Sequence, residues 1–87
     1  MKISIVIPVY NEVNTFMELL RSVQKTPYEK EIIIVDDCST DGTREILADL
    51  DEHNIKVIFK DKNGGKGSAI REGFKHLTGD ILIIQDA

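Results

Sequence analysis

The sequence predicts an α/β fold: a three-layer arrangement with a mostly parallel four-stranded sheet and helices on both faces. Three observations predict it. Four stretches of strand length, 3–7, 32–35, 55–59 and 81–84, are dominated by β-branched and aromatic residues. Between them lie segments whose apolar residues recur at helical spacing. Short polar loops join them, and strands that alternate with helices in this way imply right-handed crossovers between parallel strands. The outcome is half of a doubly wound fold, in one domain covering residues 1–87.

Taken in order, Ile3-Ser4-Ile5-Val6-Ile7 is the first strand, and Pro8, which cannot donate to a sheet ladder, is expected to end it. Thr15 and Glu18 have capping-box spacing, and Phe16, Leu19, Leu20 and Val23 make one apolar stripe of a helix reaching Lys25. Thr26-Pro27-Tyr28 breaks it. Ile32-Ile33-Ile34-Val35 reads as a strand buried on both faces. Ser39, Thr40 and Asp41 are helix-capping types, after which Thr43, Ile46, Leu47 and Leu50 keep helical spacing up to His53-Asn54. The third strand, from Ile55 to Phe59, leads into a polar, glycine-rich loop from Lys60 to Gly67. The helix beyond it is expected to turn Ile70, Gly73, Phe74 and Leu77 inward, with Gly79 as its left-handed stop before Ile81 to Ile84. No covering helix follows this last strand. Its apolar edge is therefore expected to lie open, and the chain reads as cut short.

Composition removes several function classes. A formal net charge of -4, with no basic run and no aromatic stacking cluster, argues against nucleic acid as a partner. Cys38 is the only cysteine, so no intrachain disulfide forms and a reducing compartment is expected. The longest apolar runs are strand-length, too short for a bilayer, and the one after Met1-Lys2 is too short for a signal peptide. The expectation is a soluble, cytoplasmic domain.

The candidate chemistry sits where loops leave the carboxyl ends of the strands, the crevice in which open α/β sheets bind ligands. Asp36 and Asp37 end the second strand, where carboxylates can bind a divalent metal, accept hydrogen bonds from a base or ribose, or cap the following helix. Pro8, Tyr10 and Glu12 follow the neighbouring first strand; Tyr10 can stack on a base, or the stretch can be a simple turn with Glu12 in solvent. Asn63-Gly64-Gly65-Lys66-Gly67-Ser68 resembles a phosphate cradle, but the P-loop spacing fails at Lys60 and Gly67 and the dinucleotide fingerprint fails at Ile70. Lys66 either contacts a ligand phosphate or is solvated. Asp86 ends the fourth strand on the same edge, a position suited to a metal ligand. His53 and His76 read as solvated residues, and Cys38 as a packing residue.

Together, 5–12, 34–43, 65–73 and 79–81, with Gln85-Asp86-Ala87, resemble the family 2 glycosyltransferases over the whole chain. Lys66-Gly67-Ser68-Ala69 and Gln85-Asp86-Ala87 look most like the branch containing dolichyl-phosphate mannose synthases and bacterial polyprenyl-phosphate glycosyltransferases. The resemblance implies the Rossmann-like N-terminal half of a GT-A fold, which binds a UDP- or GDP-sugar with Mg2+ or Mn2+. On that reading Pro8, Tyr10 and Glu12 flank the base and ribose, Asp37 hydrogen-bonds the base, and Asp36 supports it. Asp86 would be the first acid of the D-x-D motif, with the second expected just past Ala87. Lys66 and Arg71 are weaker candidates for phosphate contact. The acceptor, a lipid phosphate or a glycan, attacks the anomeric carbon with inversion in this family. Its site, any base and any membrane anchor would lie beyond this chain, so no catalytic residue is assigned here and the fragment is expected not to turn over alone.

Two other readings are open to test. A receiver-type phosphoacceptor domain would close its first strand with the acid pair, whereas here that strand ends at Pro8. A non-catalytic folding unit could form a homodimer through its exposed fourth strand.

Overall fold

Four strands and three helices alternate in a computed structural model that describes residues 1–86. In chain order they are β1 (Ile3–Val9), α1 (Phe16–Gln24), β2 (Lys30–Asp36), α2 (Thr43–Ala48), β3 (Ile55–Phe59), α3 (Lys66–Phe74) and β4 (Ile81–Ile84). The sheet order is β3-β2-β1-β4, and each neighbouring pair is parallel.

Side chains alternate across a strand, so β1 and β2 feed two cores. Ile5, Ile7, Val9, Ile32 and Ile34 pack on one face against Phe16, Leu20 and Val23 of α1 and Leu47 of α2. Val6, Ile33 and Val35 pack on the other face against Ala69 of α3. Helices on both faces explain why β2 carries an unbroken apolar run: Ile32 through Val35 are each at most 1% exposed.

Pro8 does not end β1, which continues to Val9 with Pro8 opposite Val35. Its missing N–H carries no penalty there. The Val9 carbonyl accepts from Asp37 on the β2 side, whereas the Val6 carbonyl accepts from Gln85 on the β4 side. Pro8 thus faces the β4 side beyond the end of that strand, where no ladder partner is lost.

Other elements depart from expectation for local reasons. The capping box does not form, because the Thr15 hydroxyl donates to Glu12 Oε2 at 2.9 Å and no side chain caps α1. Helix α2 stops at Ala48, well before His53: Asp49 and Asp51 are unfavourable at the negative end of a helix, and no basic residue stands in its last turn. Leu50 still packs on the core from outside the helix. On α3 the inward face is Ala69 and Gly73; Phe74 is 44% exposed and Ile70 only half-buried. The helix lies so close to the sheet that a Cβ on Gly73 would sit 2.7 Å from Val6 Cγ1, which pushes the larger side chains aside. Gly79 is not a left-handed stop, since positive φ among the described glycines occurs only at Gly42 and Gly65. It is packed instead against β1, where its N–H donates to Ser4 Oγ at 2.8 Å and a Cβ would meet the Lys2 carbonyl oxygen at 2.9 Å.

The same end of the sheet carries a polar cluster. Glu31 accepts from Ser4 Oγ at 2.5 Å, Thr78 N at 2.6 Å and Thr78 Oγ1 at 2.8 Å, with Lys2 Nζ at 3.8 Å. These contacts fix β4 to β1. The outer side of β4 is open as expected, with its four apolar residues 39–44% exposed. Among the described residues no helix is long and apolar enough to cross a membrane.

Candidate functional site

From β1 the chain builds outward through β2 and β3 with α1 and α2 on one face, then crosses to the far side of β1 through α3 on the other. The connections that leave β1 and β3 run to opposite faces at that reversal, the place where open sheets of this kind form a crevice at their carboxyl edge. A cavity of about 420 Å³ lies there, lined by Pro8, Tyr10, Glu12, Asp37, Lys66 and Asp86, with Val9, Asn63 and Gly65 completing the wall. Six of the eight residues singled out in the sequence therefore meet in one place, drawn from four separate segments. Asp36 and Arg71 are the exceptions.

The β1–α1 and β2–α2 loops are laced to each other on one side of this cavity. Asn11 N donates to Ser39 Oγ at 2.9 Å, Glu12 N to Thr43 Oγ1 at 3.2 Å, and Val13 N to Asp41 Oδ2 at 3.2 Å. The Thr40 N–H returns to Asn11 Oδ1 at 2.8 Å. Asn11 and Cys38 both take positive φ, 52° and 63°, a conformation that costs a non-glycine residue free energy and persists only where surrounding contacts enforce it. Neither Ser39 nor Asp41 is the N-cap of α2, a position taken by Gly42 with no side-chain cap; Asp41 Oδ1 instead accepts from the N–H and the hydroxyl of Thr43, the first residue of the helix.

Asp37 is 3% exposed. Its Oδ1 accepts from Lys60 Nζ at 2.8 Å and Gly64 N at 3.0 Å, and its Oδ2 from Gly65 N at 2.9 Å. Burial alone would raise its pKa, but the Lys60 ammonium and the two glycine amides outweigh it and hold the carboxyl below the ordinary range. Two amides of the glycine-rich loop are thus committed to an internal carboxylate. The loop's glycines serve that turn directly: Gly65 has φ 88°, and a Cβ on Gly64 would lie 2.7 Å from Lys60 Nζ.

Asp36 lies behind the cavity, fully buried. Its Oδ2 accepts from Ser39 N at 3.1 Å and stands 3.5 Å from Arg44 Nε, while Oδ1 has no partner. Arg44 also donates to the Lys60 carbonyl at 3.1 Å and lies 5.0 Å over the Phe59 ring. The Asp36 side chain thus contacts the β2–α2 turn and Arg44 and does not line the cavity.

At the open side of the cavity Lys66 and Asp86 pair with each other, both more than half exposed. Tyr10 is 47% exposed, leaving a ring available at the rim. Arg71, the weaker phosphate candidate, is not among the lining residues. The lining carries three carboxyl groups, Glu12, Asp37 and Asp86, against one lysine. Among the described residues no group of three or more His, Cys, Asp or Glu comes together as a self-sufficient metal cage.

Lys60 and Arg44 escaped sequence reasoning because a cation in a polar loop or on a short helix is normally solvated. One signal pointed to Lys60: it is the first residue after β3, on the edge where acids gather. Asn11 and Ser39 gave no signal beyond turn and capping propensity.

The similarities to known proteins fall on this same framework. Residues 4–87 match the family model described as Glycosyl transferase family 2. An undecaprenyl-phosphate 4-deoxy-4-formamido-L-arabinose transferase of Pseudomonas fluorescens is 41% identical over 98% of this chain and 27% of its own length. The crystal structure of S. aureus TarS 1-349 superposes with a TM-score of 0.87 at 35% identity, covering 99% of this chain and 27% of that one. The mannosyltransferase PcManGT from Pyrobaculum calidifontis, in complex with GDP-Man and Mn2+, gives 0.85 at 27% identity over 97% of this chain and 26% of its own. The chain thus spans about a quarter of the length of the relatives it matches. With a family match over nearly its whole length and the GT-A sheet of its structural neighbours, the chain belongs to glycosyl transferase family 2.

Proposed function

We propose that the cavity at the carboxyl edge of the sheet binds the nucleotide of a UDP- or GDP-sugar, as the donor-binding portion of an inverting glycosyltransferase that delivers a hexose to a polyprenyl phosphate or a glycan. The observation that carries this reading is the convergence of Pro8, Tyr10, Glu12, Asp37, Lys66 and Asp86 on one cavity. PcManGT, which holds GDP-Man and Mn2+, and the undecaprenyl-phosphate transferase support the donor and acceptor classes.

Asp37 reads the base. Held ionised by Lys60 and the glycine amides, it only accepts hydrogen bonds, and Oδ2 keeps capacity beyond Gly65 for an N–H on a uracil or guanine edge. Tyr10 stacks on the ring from the rim, while Pro8 and Glu12 bound the base and ribose. Asp36 keeps the β2–α2 turn in shape through Ser39 and Arg44.

The residues present fit a hard divalent ion. The lining is anionic, so a diphosphate needs a cation to enter, and Mg2+ or Mn2+ on a diphosphate needs only one or two protein carboxylates. Asp86 would hold it, with Lys66 turning from Asp86 toward the phosphates. When bound, the metal neutralises charge on the departing nucleoside diphosphate. A lipid phosphate is already a nucleophile, so the acceptor step asks no strong base of these residues. We place the whole protein at the cytoplasmic face of a membrane, where a polyprenyl phosphate presents its headgroup; the similarity to the undecaprenyl-phosphate enzyme supports this.

An NMR titration with UDP and GDP, with and without Mn2+, tests the site. Shifts at Tyr10, Asp37 and Asp86 with one nucleotide, strengthened by Mn2+, are expected. Silence at all three with both nucleotides would overturn the reading. A second reading, self-association through β4, is favoured by the 39–44% exposure of its four apolar residues and is tested by sedimentation at rising concentration.

A further inference from the structure

We propose that Lys60 is a positioning residue for the nucleotide site: its ammonium sets the Asp37 carboxylate and the Gly64–Gly65 turn in the arrangement that receives the ligand. The ligand half of this statement rests on the function proposed above. The loop half stands on geometry alone.

Lys60 is unusual for a lysine in a polar loop, with a side chain only 13% exposed. Its position is fixed at both ends. The backbone N–H donates to the Asp36 carbonyl at 3.0 Å, continuing the β2–β3 ladder by one residue, and its own carbonyl accepts from Arg44 at 3.1 Å. The ammonium then reaches Asp37 Oδ1 at 2.8 Å and Ser68 Oγ at 2.5 Å. One cation therefore joins the tip of β2, the end of β3 and the first turn of α3. Gly64 is what admits it, since any side chain there would meet the ammonium at 2.7 Å.

This arrangement leaves Asp37 with directional capacity. Oδ1 already carries two donors, Lys60 and Gly64, whereas Oδ2 carries one, Gly65. An ammonium that saturates one oxygen fixes rotation of the carboxylate and leaves the other with capacity to accept from a base. Without Lys60 the carboxylate can turn, and the glycine turn loses its anchor to β3. Lys66, by contrast, pairs with Asp86 at the surface, both side chains more than half exposed.

The experiment compares Lys60→Met and Lys60→Arg with the parent chain. Two readouts are used: dissociation constants for UDP and GDP, and the carbon-13 titration of the Asp37 carboxyl without ligand. In Lys60→Met the nucleotide affinity should fall about tenfold or more, the scale of losing a charge-assisted hydrogen bond. The Asp37 titration should also move to higher pH, and Lys60→Arg should restore most of both. Should Lys60→Met not fold, Lys60→Gln, which keeps a neutral donor, carries the same comparison. Unchanged affinity together with an unmoved Asp37 titration would overturn the proposal. If the parent chain binds neither UDP nor GDP, the nucleotide reading falls while the ligand-free titration still decides whether Lys60 positions Asp37.

Discussion

Replacing Glu31 by Gln probes the polar cluster that fixes β4 to β1. Three donors, Ser4 Oγ, Thr78 N and Thr78 Oγ1, point at the Glu31 carboxylate, whose side chain is 17% exposed. Burial pushes its pKa up, yet the Ser4 and Thr78 hydrogen bonds, helped by Lys2, outweigh that and lower it from 4.5 to about 2. A carboxyl with a depressed folded-state pKa stabilises the fold above its unfolded value and loses that contribution as pH falls toward the folded one. At roughly 1.4 kcal/mol per tenfold difference in proton affinity, the ionised form contributes ~3 kcal/mol at pH 7. Glu31→Gln replaces one accepting oxygen with a donor facing donors, so it should lose most of this. Urea unfolding at pH 7 and pH 3 is the assay. The variant should be less stable by about 3 kcal/mol at pH 7, the gap narrowing to about 1 kcal/mol at pH 3, where the parent carboxyl is still mostly ionised in the fold but takes up a proton on unfolding. A gap that is equal at the two pH values would refute the account, because every other carboxyl titrates alike in both proteins.

Gly73→Ala forces a methyl to within 2.7 Å of Val6 Cγ1, and overpacking of this kind should cost about 1–3 kcal/mol by urea unfolding; a neutral result would mean that α3 shifts freely off the sheet. Asp86→Asn should abolish the Mn2+-dependent gain in UDP or GDP affinity measured by calorimetry while leaving metal-free binding nearly intact; an undiminished gain would remove Asp86 from the metal site. Ile83→Lys, on the open β4, should abolish any concentration-dependent association in sedimentation, and a parent chain that is monomeric throughout would dispose of the self-pairing reading.

The strands and the order of the helices were legible because apolar period acts within a few residues, whereas the capping signals failed: none of the three described helices has a side-chain cap, and α3 starts at Lys66, inside the expected loop. Ile32 to Val35 announced a doubly covered strand without help from the rest of the chain. What misled was context that only the assembled sheet supplies. Pro8 looked like a terminator because its N–H deficit matters only where a neighbour is present, and β4 ends before reaching it. Phe74 and Ile70 looked inward by period, but helix-to-sheet distance, set by Ala69 and Gly73, decided otherwise. In the site, Pro8, Tyr10, Glu12, Asp37 and Asp86 were legible from their place after strand ends, and Lys66 from the glycine-rich loop. Lys60 was not, because its burial depends on a glycine four residues on and a carboxylate 23 residues back.

The pairing of β1 with β4 has a kinetic consequence. Hydrogen bonds such as Lys2 N to Asp80 and Gly79 N to Ser4 close loops of 78 and 75 residues, nearly the length of the chain. Contacts so remote in sequence form late, after the entropy of closing the loop has been met. The β1–β2 side, with its laced loops, can assemble first, whereas the wall bearing Asp86 exists only once the last strand has docked. A ligand that spans both walls binds only the finished sheet and so acts as a clasp on the slowest step, lowering the rate at which β4 peels away.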